Sequence, residues 1–172
     1  MKVVRSMARG SSDTAGAALL LRVAVGGTIL AHGLKHGRSL DGTAGWFQSI
    51  GFRHPTSQAR ASAVVEVGAG AAILAGAATP VAAAAVVGTM AVAARSVHLS
   101  NGFFITAEGW EYVANMAVGA VVLAGIGPGP WSVDKALGLE SKFSGNTSAA
   151  LAAGVWIAAA AGQLALFYRP SR

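Results

Sequence analysis

Ala61-Ser62-Ala63-Val64-Val65-Glu66-Val67-Gly68-Ala69-Gly70-Ala71-Ala72-Ile73-Leu74-Ala75-Gly76-Ala77-Ala78 is a run of small and apolar residues interrupted by one carboxylate. At a helical rise of about 1.5 Å per residue it spans roughly 27 Å, close to the hydrocarbon thickness of a bilayer. A carboxylate in such a stretch must be paired, protonated or solvated inside a protein bundle, and it marks a polar feature of structure or function. Four other stretches have the same character: about Thr14 to Leu34, Val81 to Leu99, Trp110 to Ile126 and Thr147 to Tyr168. The expected fold is therefore all-α, a polytopic membrane helix bundle.

Composition points the same way. The 172 residues are 53% hydrophobic and 12% charged, whereas a soluble domain carries about a quarter charged residues. Ala, Gly, Val and Leu supply most of the bulk, and small side chains let helix backbones approach closely where lipid removes the hydrophobic driving force. The formal charge of +6 is scattered at the ends of spans and forms no patch interleaved with aromatics, so it fits membrane lipid headgroups and not nucleic acid. With no cysteine, the chain itself can carry no disulfide relay, thiolate nucleophile, iron–sulfur cluster or thioether-linked haem.

Between the spans, residues 1–13 form a basic tail with Lys2, Arg5 and Arg9, a loop runs from Lys35 to about Pro55, and 140–146 form a polar linker before the fifth span, 147–168, with residues 169–172 as the C-terminal tail. Trp46, Phe47 and Ile50 are placed to lie on the membrane interface along a short helix, and Trp131 to Leu139 reads as a second interfacial helix with Ser132 as N-cap and Gly138 as its stop. Arg22 interrupts the first span and no small-residue cleavage pattern follows it, which argues against a removable signal peptide. Basic residues at the two sides nearly cancel; the first span sets the orientation, with the N-terminus cytoplasmic.

Depth places the polar residues. Arg22 lies about 12 Å from the inner end of the first span and Glu66 about 14 Å from the outer end of the second, so an intramembrane ion pair between Arg22 and Glu66 is expected, either as a structural staple or as a working element. A second group gathers at the other end of the spans: His32, Lys35 and His36, then Arg95 and His98, then Glu108, Glu111 and Asn115. His32, Arg95, His98, Glu111 and Asn115 are the candidate ligand or quinone site, a cup open to the outer surface that Trp110 and Tyr112 help to line. The competing reading has the basic residues snorkel to headgroup depth. His32 and His36 at i, i+4 lack a third ligand at a diagnostic spacing, so no metal is expected.

Leu21-Arg22-Val23, His32-Gly33-Leu34-Lys35, Gly45-Trp46-Phe47 with Gly51-Phe52, Val64-Val65-Glu66-Val67-Gly68, Val97-His98-Leu99 with Asn101-Gly102-Phe103-Phe104, Gly109-Trp110-Glu111-Tyr112 and Gly127-Pro128-Gly129 before Trp131-Ser132 together resemble the DoxX family of bacterial inner-membrane proteins. The resemblance covers about residues 16 to 139. It implies a four-helix transmembrane domain, here 14–139, to which the fifth span is an addition, and a location in the bacterial cytoplasmic membrane. A relative, DoxD, is a subunit of a thiosulfate:quinone oxidoreductase, which brings in quinone as the possible cofactor.

Three functions follow as expectations. The first is an accessory or scaffold subunit of a redox-linked membrane complex, with a protein partner that carries the redox centre; an independent catalytic centre is not evident. The alternative is a quinone-binding subunit of a membrane oxidoreductase. A small-solute transporter is the weakest, because the spans show neither an inverted repeat nor a helix broken at its centre by proline.

Overall fold

A computed structural model describes residues 14–139 and 145–170. The basic tail, most of the polar linker and the last two residues lie outside the described residues. The described chain is built of helices; an isolated antiparallel bridge joins Phe52 to Tyr168.

Helix α1 runs from Ala15 to Arg38, longer than the expected span, because nothing after Leu34 breaks it: Lys35, His36 and Arg38 make up a basic last turn that suits the negative end of the helix dipole. It contains a π-helical turn at Arg22–Gly26. After one residue the chain enters α2 (Leu40–Ser49), where the sequence predicted mostly loop. Helix α3 (Pro55–Ala75) opens on a proline whose missing N–H costs nothing in the first turn, and closes on Gly76 in the left-handed region at φ +64°. Helix α4 (Thr79–Asn101) also begins with a proline, Pro80, and ends through a π turn at Ala94–His98 and a 3-10 turn. Helix α5 is Glu111–Ile126, α6 is the single turn Val133–Ala136, and α7 is Asn146–Phe167.

Helices α1, α3, α4 and α5 pack in a closed ring, α1 on α3, α3 on α4, α4 on α5 and α5 back on α1. Helix α4 carries the largest share of the core: Ala82 to Met90, Thr89 excepted, are all buried. Helix α7 lies outside the ring against α4 and α5. Glycine makes the α1–α3 seam possible. A Cβ on Gly33 would sit 2.6 Å from the Val67 nitrogen, and one on Gly70 would sit 2.5 Å from the Leu30 nitrogen, so the two backbones approach as closely as small-residue membrane packing allows.

Three helices, α1, α4 and α7, are long and apolar enough to cross a membrane. Helix α3 is nearly as long but carries Gln58, Arg60 and Glu66, and α5 at 16 residues reaches about 24 Å, short of the roughly 30 Å core. Both complete the bundle. The molecule is an all-α membrane protein with a four-helix core and an additional C-terminal helix.

Two expectations about the connections change. Phe47 is buried against Phe52, with ring centroids 5.0 Å apart, and Ile50 packs on the same small cluster with Leu164 and Phe167. Helix α2 therefore turns these residues into the protein, because the end of α7 offers an apolar surface that competes with lipid. In α6, Ser132 accepts a hydrogen bond from the Lys135 N–H as N-cap, while Asp134 is 1% exposed and works inside the bundle.

Candidate functional site

Arg22 and Glu66 are not paired. The contacts across the α1–α3 seam put Gly26 opposite Gly70 and Ile73, and Gly33 opposite Glu66 and Val67. Glu66 is thus level with Gly33, eleven residues or about 16 Å along α1 from Arg22. The expected depths failed because they were counted from assumed span ends, and α1 extends four residues further than assumed.

Arg22, 4% exposed, instead collects main-chain carbonyls. Its Nε donates to the Ile73 carbonyl at 3.1 Å, its Nη1 to the Pro128 and Trp131 carbonyls at 3.2 and 2.6 Å, and its Nη2 to the Leu74 carbonyl. Those at Ile73 and Leu74 belong to the last turn of α3, where the regular helical ladder runs out of donors; the Ile73 carbonyl also accepts the Gly76 N–H at 3.0 Å. On the other side of the same turn, Asp134 accepts from the Ala78 N–H at 2.7 Å, the Thr79 N–H at 2.9 Å and the Thr79 hydroxyl at 2.8 Å, which satisfies the start of α4. One cation closes the end of α3 and one anion opens α4. This pole of the molecule is structural.

Glu66 belongs to the opposite pole. It is 4% exposed, and Nδ1 of His36 lies 3.2 Å from both of its oxygens. The Ser62 hydroxyl, one turn earlier on α3, donates to Oε1. Oε2, though in ion-pair range of His36, has no well-directed hydrogen bond among the described residues, and the same holds for the buried hydroxyl of Tyr112. Tyr112 stacks on His32 with centroids 5.8 Å apart and planes 27° from parallel; His36 meets His32 edge-on at 6.3 Å and lies tilted by 33° against Trp46 at 6.4 Å.

Glu66, His36, His32, Tyr112 and Trp46 line a cavity of about 730 Å³ among α1, α2, α3, α4 and α5, whose wall also includes Thr89, Met90, His98 and Glu108. A second cavity of about 170 Å³ lies under α7, beside Trp156 and Gln163, and shares His36, Trp46, Glu66, Thr89 and Ala93 with the first. The Glu66–His36 pair is therefore the partition between two chambers. Glu66 and Tyr112, each with a buried oxygen that lacks a directed hydrogen bond, both line this aromatic-walled space and supply an acceptor and a donor for a ligand.

Of the expected ligand-site residues, His32 and His98 line the larger cavity, and the His98 ring lies 2.6 Å from the Glu108 carbonyl oxygen through Nδ1. The other three do not line it. Arg95 is exposed and sits 5.6 Å from the centroid of the Tyr168 ring; the π turn at Ala94–His98 widens the helix there, so Arg95 and His98 no longer share a face at i, i+3. Glu111 accepts the Ile105 N–H at 3.0 Å and closes the loop before α5. Asn115 is exposed on an outward stripe of α5 with Val118, Val122 and Ile126. No group of three His, Asp or Glu side chains converges as for a metal among the described residues.

Sequence reading left Ser62, Trp46 and Thr89 out of the site, and it grouped His36 and Tyr112 with the cup without pairing either with Glu66. The signal for His36 was present: once α1 continues past Leu34, His32, His36 and the Gly33 opposite Glu66 fall on one side of a single helix.

The DoxX family model matches residues 17–99. This segment, a little under half of the chain, is similar to the DoxX family. Arg22, His32, His36, Ser62, Glu66 and His98 all lie within the DoxX segment, whereas Tyr112, Asp134 and α7 lie beyond it, as do the motifs from Gly102 to Ser132 on which the resemblance also drew. No curated protein and no solved structure matches the chain.

Proposed function

We propose that this DoxX-like protein is the quinone-binding subunit of a membrane oxidoreductase in the bacterial cytoplasmic membrane, its N-terminus cytoplasmic. The observation that carries the reading is the pair of buried oxygens without a directed hydrogen bond among the described residues, Glu66 Oε2 and Tyr112 Oη, on two residues that line a cavity with stacked rings. A planar ring with oxygen substituents meets all of these needs: the rings stack on it, the Tyr112 hydroxyl donates to one of its oxygens, and the Glu66 carboxylate accepts from a hydroxyl of its reduced form. His36 holds the carboxylate in place. The electrons come from a partner subunit, since the chain has no cysteine and a quinone site needs a donor.

A cavity with an acceptor residue and a donor residue on its wall puts quinone binding ahead of the purely accessory role that composition favoured. The protein is purified in mild detergent from native membranes, and the extracted quinone and the co-purifying chains are identified by mass spectrometry. The expected result is about one quinone per chain, lost by tenfold or more in Tyr112→Phe and Glu66→Gln while both variants keep their helical content. Stable partners with no quinone in the wild type would return the protein to the scaffold role; solute uptake by proteoliposomes of this chain alone would make it a transporter.

A further inference from the structure

A third cavity, of about 510 Å³, opens on the outside of the α1–α3 seam, away from the two chambers. Its floor is made of Gly33, Gly37, Ala63, Val67 and Gly68, and Arg38 and Arg60 line it as well. The seam contacts set these two arginines level: Gly33 faces Val67 and Gly37 faces Ala63, a register in which Arg38 falls opposite residues near Arg60. Both are exposed, and neither guanidinium makes a hydrogen bond or ion pair among the described residues. Arg60 is five residues into α3, about 8 Å from its end, and Arg38 closes α1, so both stand at headgroup depth.

Two free guanidinium groups beside an apolar groove match one ligand chemistry, an anion attached to a hydrocarbon chain. Arginine takes phosphate oxygens through its planar fork, and basic pockets between membrane helices hold anionic headgroups. We propose that this groove is a binding site for a single anionic phospholipid, with its phosphate between Arg38 and Arg60 and an acyl chain along Gly37, Ala63 and Gly68. The floor suits a chain because a Cβ on Gly68 would meet nothing within 4 Å: the space is open and unclaimed by protein. This site is independent of the quinone reading and stands if that reading fails.

The full chain is reconstituted in nanodiscs of phosphatidylcholine and phosphatidylglycerol, released, and its retained lipids counted by native mass spectrometry. Retention of one phosphatidylglycerol is expected to fall about tenfold in Arg38→Gln/Arg60→Gln, in keeping with two basic residues at a membrane surface. Gly68→Leu, which fills the groove and keeps both charges, should lose it as well. Arg53→Gln/Arg95→Gln removes the same charge from exposed basic residues outside the groove and should retain the lipid. Equal loss in that control pair would reduce the effect to general surface charge and overturn the site, as would unchanged retention in either of the first two variants.

Discussion

Arg22 shows how a buried cation is stabilised without an anion in contact. Its guanidinium donates to four carbonyls from two separate segments of the chain, and in a bundle those carbonyls have no water to turn to. Arg22→Met should therefore cost about 2–5 kcal/mol, the penalty of leaving several buried acceptors unmade, read as a lower midpoint in denaturing-detergent titration. Asp134→Ala removes the acceptor of three bonds at the start of α4 and should cost about 1–3 kcal/mol. Neither change touches the Glu66 pole, so neither should alter the ligand affinity of protein that remains folded. The same scale explains why the expected Arg22–Glu66 pair was persuasive. Both residues are buried and oppositely charged, and only the register of α1 on α3 tells that they belong to different poles.

At the scale of elements, the α1–α3 seam governs that register. The backbones meet where Gly33 and Gly70 leave no room for a side chain, so the glycines act as position marks along the interface. Gly70→Leu should force the helices apart, misalign Glu66 with His36 and lower the yield of folded protein severalfold, measured by detergent size exclusion. Gly154→Leu on α7, where a Cβ would meet nothing within 4 Å, is the matched control and should leave the yield unchanged. Helix α7 adds to the core from outside the ring. Gln163 on α7 donates to Gln58 on α3 at 2.8 Å, and the Tyr168 hydroxyl donates to the Ser96 carbonyl at 3.2 Å; these bonds tie α7 to the first four helices over the smaller chamber. Sequence reading placed α7 well and gave Gln163 an interhelical bond, since a polar amide in an apolar helix has few other options.

Across the whole molecule, the two poles lie at opposite ends of the bundle. Ser39 and Ser100 are exposed at the end where the larger cavity opens, and Leu137 is exposed at the end held by Arg22 and Asp134. Because the chain has no cysteine, single cysteines report orientation cleanly. With the N-terminus cytoplasmic, Ser39→Cys and Ser100→Cys should react with an impermeant maleimide from outside intact cells, and Leu137→Cys only after permeabilisation. The reverse pattern would invert the topology, and labelling of all three from one side would contradict a spanning bundle.

Read alone, the amino-acid sequence settled the all-α membrane class and a helix at each of the five apolar stretches, because apolar length and small-residue content are local properties of the chain. It also singled out Glu66, since a carboxylate in such a run must have a purpose. Partners were another matter. Glu66 with His36, Arg22 with four carbonyls, Asp134 with the α3–α4 turn, and Arg95 with Tyr168 were all decided by the tertiary structure. Each depends on how far α1 extends, how glycines set its register against α3, and how a π turn rotates the end of α4. A rise of about 1.5 Å per residue accumulates along a helix, and a small error at its end moves a buried charge from one pole of the molecule to the other.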